Sequence, residues 1–263
     1  MAWVDLGVNL FSSQFDHDRA ELFTRAQTVG VEHWLLIASD LRETQQNIAW
    51  CHQHPACYST AGVHPHQADQ VSDGWQQQLR DLAKDHTIVA IGECGLDFNR
   101  NFSSETGQLT VFAEQLALAK ELQLPVYLHQ RDAFEQQYAL LQEHQIQHGI
   151  AHCFTGNTEQ LKAYLDLGLY IGLTGWLCDE RRNQELIAAL QYLPLDRICL
   201  ETDAPYLLPR NLSPKPKSRR NEPAYLLAIA EQLAALKELS LQQVQQQCWL
   251  NSQQLLNLPG ESS

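Results

Sequence analysis

Basic charge is scarce in this chain. Its 18 Lys and Arg stand against 31 Asp and Glu, a formal net charge of −13. Domains that hold nucleic acid by general electrostatic attraction are usually basic, so that class of binder is disfavoured. A nuclease that meets phosphate through a cation and a few local basic groups remains open. Paired cysteines are missing too. The seven, at positions 51, 57, 94, 153, 178, 199 and 248, are odd in number and show no C-x-x-C spacing. That argues against both a disulfide framework and a zinc ribbon. Cys153 and Cys199 lie in apolar runs, where a free thiol behaves as a small hydrophobe, and a reducing, cytoplasmic compartment is expected. No run approaches the ~20 apolar residues of a membrane span, and MAWVDLGVNL has neither a basic region nor a long apolar region of a signal peptide. No contact with a membrane is expected. Internal repeats, low-complexity segments and interdomain linkers are also lacking. One domain over residues 1–263 is therefore expected, a length that suits a single α/β barrel of about 250 residues.

What is present is a recurrence of short apolar runs within an ordinary 44% hydrophobic content. There are eight: Trp3–Leu10, His33–Ser39, Cys57–His64, Ile88–Gly95, Pro125–His129, Gly149–Phe154, Leu169–Thr174 and Ile198–Thr202. Each is nearly continuous rather than alternating, as in parallel strands buried on both faces. Helical patterns lie between them. Leu109, Phe112, Leu116, Ala119 and Leu122 recur at three- and four-residue steps, and the spacing predicts an amphipathic helix of about four turns. Gln160–Leu167 and Asn183–Tyr192 are shorter versions. Pro223 opens a further helix at a position proline tolerates, and Ser240 with Gln243 resembles a capping box before the last one. Eight strand–helix units followed by C-terminal packing helices from about residue 223 point to a (β/α)₈ TIM barrel, class α/β. An open, doubly wound sheet is the alternative.

Four runs finish in a side chain able to bind metal: Glu93 in AIGECGLD, His129 in PVYLHQRD, His152 in IAHCFTG and Asp203 in CLETDAP. An ionisable group inside an apolar strand is costly unless paired or metal-bound. In an α/β barrel the C-terminal strand ends converge, which would make these four neighbours. Two imidazoles and two carboxylates suit Zn²⁺, Mn²⁺ or Fe²⁺, and Mg²⁺ where waters complete the shell. Plainer readings stand beside this one. A lone strand-end histidine is often a hydrogen-bonded core residue, and Asp203, before Ala204 and Pro205, suits a turn or cap. Glu93 is harder to dismiss, because Gly95 two residues on suggests backbone making room for something.

Other candidates serve substrate. His64 in GVHPH could reach the same end of the barrel as a phosphate ligand or proton donor, or be a turn histidine before proline. Arg131 could clamp a phosphate or pair with Asp132 at the surface. His52 and His54, in CHQHP, read as solvated. RNLSPKPKSRR, residues 210–220, groups Arg210, Lys215, Lys217, Arg219 and Arg220 after the eighth run. Its charge either steers phosphate toward the metal or is a solvated loop.

Taken in order, GVHPH, AIGECGLDF, PVYLHQRDA, HCFTG, YIGLTGW and ETDAPYLLPR make the whole chain resemble the TatD family of metal-dependent deoxyribonucleases, which are amidohydrolase-like barrels. CDERR and PKPKSRRNEP place the resemblance on its bacterial branch. It implies a 3′→5′ exonuclease on single-stranded DNA and RNA, a Mg²⁺ requirement with Mn²⁺ or Zn²⁺ as alternatives, and a cytoplasmic monomer without an obligate protein partner. It also implies a part in repair of oxidative DNA damage. The family's metal residues carry over to Glu93, His129, His152 and Asp203.

One departure narrows this. Most of the family carry H-x-H on the first strand, two residues after an aspartate. Here the stretch is Asp5-Leu-Gly7-Val-Asn9, with neither histidine, a trait of the bacterial branch. One firmly held ion is expected, or a second that arrives with substrate phosphate. Asp203 would then orient or deprotonate the attacking water, with Glu93 as the central ligand. His64 or Arg131 would steady the developing charge, and the loop with Arg219 would hold the strand. The rival is an amidohydrolase acting on a small amide, lactone or phosphoester. It would call for the missing H-x-H and a bridging lysine that no strand end supplies. A non-catalytic nucleic-acid-binding relative is the third reading.

Overall fold

The computed structural model describes residues 2–258. Its strands are β1 (Trp3–Val8), β2 (Val31–Leu36), β3 (Cys57–Ala61), β4 (Ile88–Asp97), β5 (Val126–Arg131), β6 (Gly149–Ala151), β7 (Tyr170–Leu173) and β8 (Ile198–Leu200). They form one eight-stranded sheet in sequence order. The helices are α1 (Arg19–Gln27), α2 (Leu41–Cys51), α3 (Trp75–Leu82), α4 (Glu105–Leu122), α5 (Phe134–Glu143), α6 (Thr158–Asp166), α7 (Gln184–Leu190), α8 (Leu226–Lys237) and α9 (Leu241–Leu256). One helix follows each of the first seven strands, and the last two follow β8. A doubly wound sheet reverses its strand order partway, which this one does not. The order is that of a (β/α)₈ barrel.

The chain divides into two compact units. One comprises Leu36–His152 and Ala163–Tyr170 and is called the central unit; the rest of the described chain forms the terminal unit. In the central unit β3 pairs with β4, β4 with β5 and β5 with β6, all parallel. Every residue of β4 is buried, as the unbroken apolar run requires of a strand covered on both faces. Helix α4 follows the expected stripe: Phe112, Leu116 and Ala119 are buried, and Leu109 and Leu122 are half-buried. Ser104 starts it, its hydroxyl accepting from Gly107 N at 3.1 Å.

In the terminal unit β7 and β8 are parallel, and Val8 bridges to Ala204 just beyond β8. Pro223 begins a 3₁₀ turn ahead of α8 rather than the α-helix itself. The capping box at Ser240 and Gln243 is formed as expected. Asn251 Nδ2 on α9 donates to Leu195 O at 2.9 Å and Ile198 O at 2.7 Å, tying the last helix to the start of β8. Six cysteines are buried and Cys153 is half-buried, all as free thiols. Burial pushes the Cys57 thiol up to about 12, which suits a packing residue and not a nucleophile. No helix among the described residues is long and apolar enough to cross a membrane.

Candidate metal centre

The centre is built on Glu93, in the sixth position of β4, which runs on to Asp97. Side chains two residues apart share a strand face, so Glu93, Gly95 and Asp97 point the same way. Gly95 lies beside His129 of β5, and its φ is +142°. A Cβ there would run into the His129 carbonyl oxygen. The room that this glycine makes is therefore taken by the neighbouring strand, which brings His129 onto both carboxylates.

Four imidazoles surround the pair. His129 Nδ1 donates to Glu93 Oε1 at 2.8 Å, while His64 Nε2 lies 3.4 Å and His152 Nε2 3.8 Å from that same oxygen. His66 Nε2 reaches Asp97 Oδ2 at 2.6 Å, and His129 Nε2 faces it at 3.5 Å. His64 Nδ1 accepts from His66 N at 3.1 Å, which leaves Nε2 to carry the proton toward Glu93. Tyr127 OH shares a 2.6 Å hydrogen bond with His152 Nδ1 and fixes that ring.

Buried glutamines on α4 hold the frame. Gln115 accepts from Val63 N at 2.8 Å and donates to Val63 O at 2.9 Å, immediately before His64. Gln108 does the same for Asp97, accepting from its N at 2.8 Å and donating to its O at 3.1 Å. Seven residues apart, they lie two helical turns from one another on one face. His66, Asp97, Tyr127 and these glutamines were not foreseen as site residues. Asp97 alone carried a usable signal, its even spacing from Glu93.

Burial opposes charge on Glu93, but the imidazoles of His64, His129 and His152 outweigh it and hold the carboxyl well below the usual range. Burial likewise opposes charge on His129, yet Asp97 and Glu93 raise it to about 9. His64, buried against other imidazoles, is lowered.

A divalent metal fits this donor set. His64, Glu93 and His129 each offer an atom within 4.8 Å of the others. His129 Nε2 is buried without a hydrogen bond, the condition in which a ring nitrogen gains most from an ion.

In the terminal unit Asp203 is half-buried with φ +55°, and its carbonyl accepts from Tyr206 N at 2.9 Å, so it does make the turn before Pro205. Its Oδ1 accepts from Asn9 Nδ2 at 2.9 Å. Asn9, at the end of the stretch that lacks both histidines, thus acts as a donor to the carboxylate. Asp5 on β1 is fully buried and bound by Thr202 N at 2.8 Å and Thr202 Oγ1 at 2.6 Å.

The basic loop is partly neutralised. Arg220 makes a bidentate pair with Asp18 at 2.6 and 2.7 Å, and Arg210 lies 3.5 Å from Asp179. Lys215, Lys217 and Arg219 are exposed, as is Arg131 at the end of β5. His52 and His54 are not simply solvated: His52 is exposed but pairs with Asp85 at 2.9 Å, and His54 stacks on Trp50 at 4.1 Å.

The sequence profile of the TatD related DNases matches residues 4–257. This chain belongs to the TatD-related DNase family. A relative from Cronobacter sakazakii named 3′-5′ ssDNA/RNA exonuclease TatD is 51% identical over 232 residues, 88% of each chain. One of the same name from Erwinia tasmaniensis is 48% identical over 257 residues, 97% of this chain and 99% of that one. Among solved structures, a TatD homologue from Escherichia coli has a TM-score of 0.89 at 27% identity, covering 98% of both chains. Phosphotriesterase-like and lactonase-like proteins at 13–16% identity share the fold alone.

Proposed function

We propose that this protein is a metal-dependent 3′→5′ exonuclease that hydrolyses phosphodiester bonds in single-stranded DNA and RNA. The observation that carries the reading is the convergence of His129, His64 and His152 on one oxygen of Glu93, at 2.8, 3.4 and 3.8 Å. Relatives near 50% identity that are named for this activity support it.

Glu93, His129, His152 and Asp203 are proposed to hold the ion, with His64 either a further ligand or a donor to substrate phosphate. When bound, a divalent cation polarises a phosphoryl oxygen and makes water a better nucleophile near neutral pH. The chain's own groups do the rest. Tyr127 sets the His152 ring, as hydrogen-bonded supporting residues do in metal sites, and Asp97 faces His129 Nε2 at 3.5 Å as a countercharge. Asn9 holds Asp203 Oδ1, so the carboxylate is aimed when it takes a proton from the attacking water. Arg131 and Arg219 are proposed to meet substrate phosphates, since both are exposed cations.

Mg²⁺ is the proposed ion, although so many imidazoles are more than Mg²⁺ usually accepts; Mn²⁺ and Zn²⁺ therefore belong in the test. We also propose that the chain acts as a single domain, supported by the family match over residues 4–257. A cytoplasmic location is supported by seven free thiols. The monomeric state and the role in oxidative DNA repair rest on the resemblance to the family.

The test is digestion of end-labelled single strands with each metal. A ladder shortening from the 3′ end is expected, abolished by chelation. Shortening from the 5′ end, or turnover in chelator, would overturn the reading.

A further inference from the structure

Away from the Glu93 centre, the central unit holds a second convergence of metal-capable side chains: His52, Asp85 and His86. His52 caps the C-terminus of α2, and Asp85 with His86 lies in the turn that leads into β4. His52 Nε2 donates to Asp85 Oδ2 at 2.9 Å, and His86 Nδ1 lies 3.6 Å from Asp85 Oδ1. The two imidazole rings stack with centroids 5.3 Å apart and planes 11° from parallel. One donor atom from each residue falls within 4.8 Å of the other two.

Several features distinguish this trio from a chance surface ion pair. The carboxylate is pre-set. Thr87 N and Thr87 Oγ1 donate to Asp85 Oδ1 at 3.0 and 2.8 Å, which turns Oδ2 toward His52. Metal-binding carboxylates are braced by such hydrogen bonds. The last carbonyls of α2 add the negative end of a helix dipole at His52, which favours a bound cation. The His52 and His86 side chains are 47% and 83% exposed, so an ion can enter from solvent and waters can complete its shell.

We propose that His52, Asp85 and His86 form a second, surface site for a borderline divalent transition-metal ion such as Zn²⁺. Two imidazole nitrogens and one carboxylate oxygen suit Zn²⁺, Ni²⁺ or Cu²⁺ and offer little to Mg²⁺. An ion there clamps the end of α2 to the entry of β4, the strand that carries Glu93 and Asp97. His86 precedes Glu93 by about 20 Å of extended chain, so the two sites are separate. The proposal stands independently of the nuclease reading.

Equilibrium dialysis of the full chain against Zn²⁺, followed by metal analysis, tests it. Wild type should bind one equivalent more than His52→Ala/His86→Ala, because the Glu93 centre is common to both proteins. Zn²⁺ should also raise the Tm of a Glu93→Ala/His129→Ala protein, and that rise should vanish when His52→Ala/His86→Ala is added. Equal stoichiometry at Zn²⁺ up to ~100 µM, well above the range of a useful protein metal site, overturns the proposal. Should the double substitution fail to fold, His86→Ala alone, at a largely exposed position, is judged by the same difference in bound metal.

Discussion

Glu93 in the central unit and Asp5 in the terminal unit are both carboxylates buried on a β-strand, and they end in opposite charge states. Burial raises the Asp5 carboxyl to about 8, because its partners, Thr202 and the Gly7 amide, are neutral and only partly offset the loss of water. Burial pushes Glu93 the same way, yet imidazoles within 4 Å reverse the result. A buried acid is therefore not a metal ligand by virtue of burial. Its neighbours decide whether it is held as an anion, and the acid on β1 is a structural fastener between β1 and the Thr202–Asp203 segment.

Removing the charged member of this contrast should have the largest effect. Glu93→Ala should lower nuclease turnover by on the order of 10³-fold or more, since metal polarisation supplies several kcal/mol of the barrier. Circular dichroism should remain native; wild-type turnover in this variant would break the comparison outright. Tyr127→Phe removes the hydrogen bond to His152 Nδ1 and should weaken metal affinity by roughly 10–100-fold. Activity should recover at saturating metal, and an unchanged metal half-saturation would remove Tyr127 from the centre. Asn9→Ala deletes the donor to Asp203 Oδ1 and should reduce kcat by about tenfold, the size of one ~1.5 kcal/mol hydrogen bond to a charged group. A pure change in KM would show that Asn9 serves substrate binding instead.

Asp5→Asn should change turnover least, because at neutral pH it replaces one neutral side chain with another. Its signature is in stability. The folded chain keeps a proton on Asp5 up to about pH 8, while the unfolded chain releases it near the ordinary 3.8. The stability that Asp5 contributes is thus fully present below about pH 4 and is lost as pH rises toward 8. Urea midpoints from pH 5 to 8 should fall for wild type relative to Asp5→Asn. Parallel profiles would mean that Asp5 is ionised in the fold, and the contrast with Glu93 would disappear.

Much of this architecture is readable from local pattern. Each of the eight expected runs overlaps a strand, because strands buried on both faces need continuous apolar sequence, although β2 begins before its run and β4 and β5 end beyond theirs. The runs overshot where polar turns begin: Leu10, Ser39 and Phe154 lie beyond β1, β2 and β6. Glu93, His129 and His152 stood out as ionisable groups at the far ends of those runs, and the structure brings them together. Asp97 was missed because the fourth run was ended at Gly95. His66 and Tyr127 were missed because a histidine after proline and a tyrosine in a strand have common plain explanations. Gln108 and Gln115 gave no sign at all, since glutamine on a helix is ordinarily a solvent-facing residue.

Sequence by itself determined the succession of strands and helices, the caps at Ser104 and Ser240, the apolar face of α4 and the inventory of metal-capable groups. These depend on periodicity and on hydrogen bonds only a few residues long. Tertiary structure decided which carboxylate is charged, which ring nitrogen faces it, which arginines of the 210–220 loop are already paired, and that His52 meets Asp85 and His86. Each of those outcomes depends on groups tens to hundreds of residues apart and on how far water is excluded between them, and neither the distance nor the exclusion is written in any local stretch of chain.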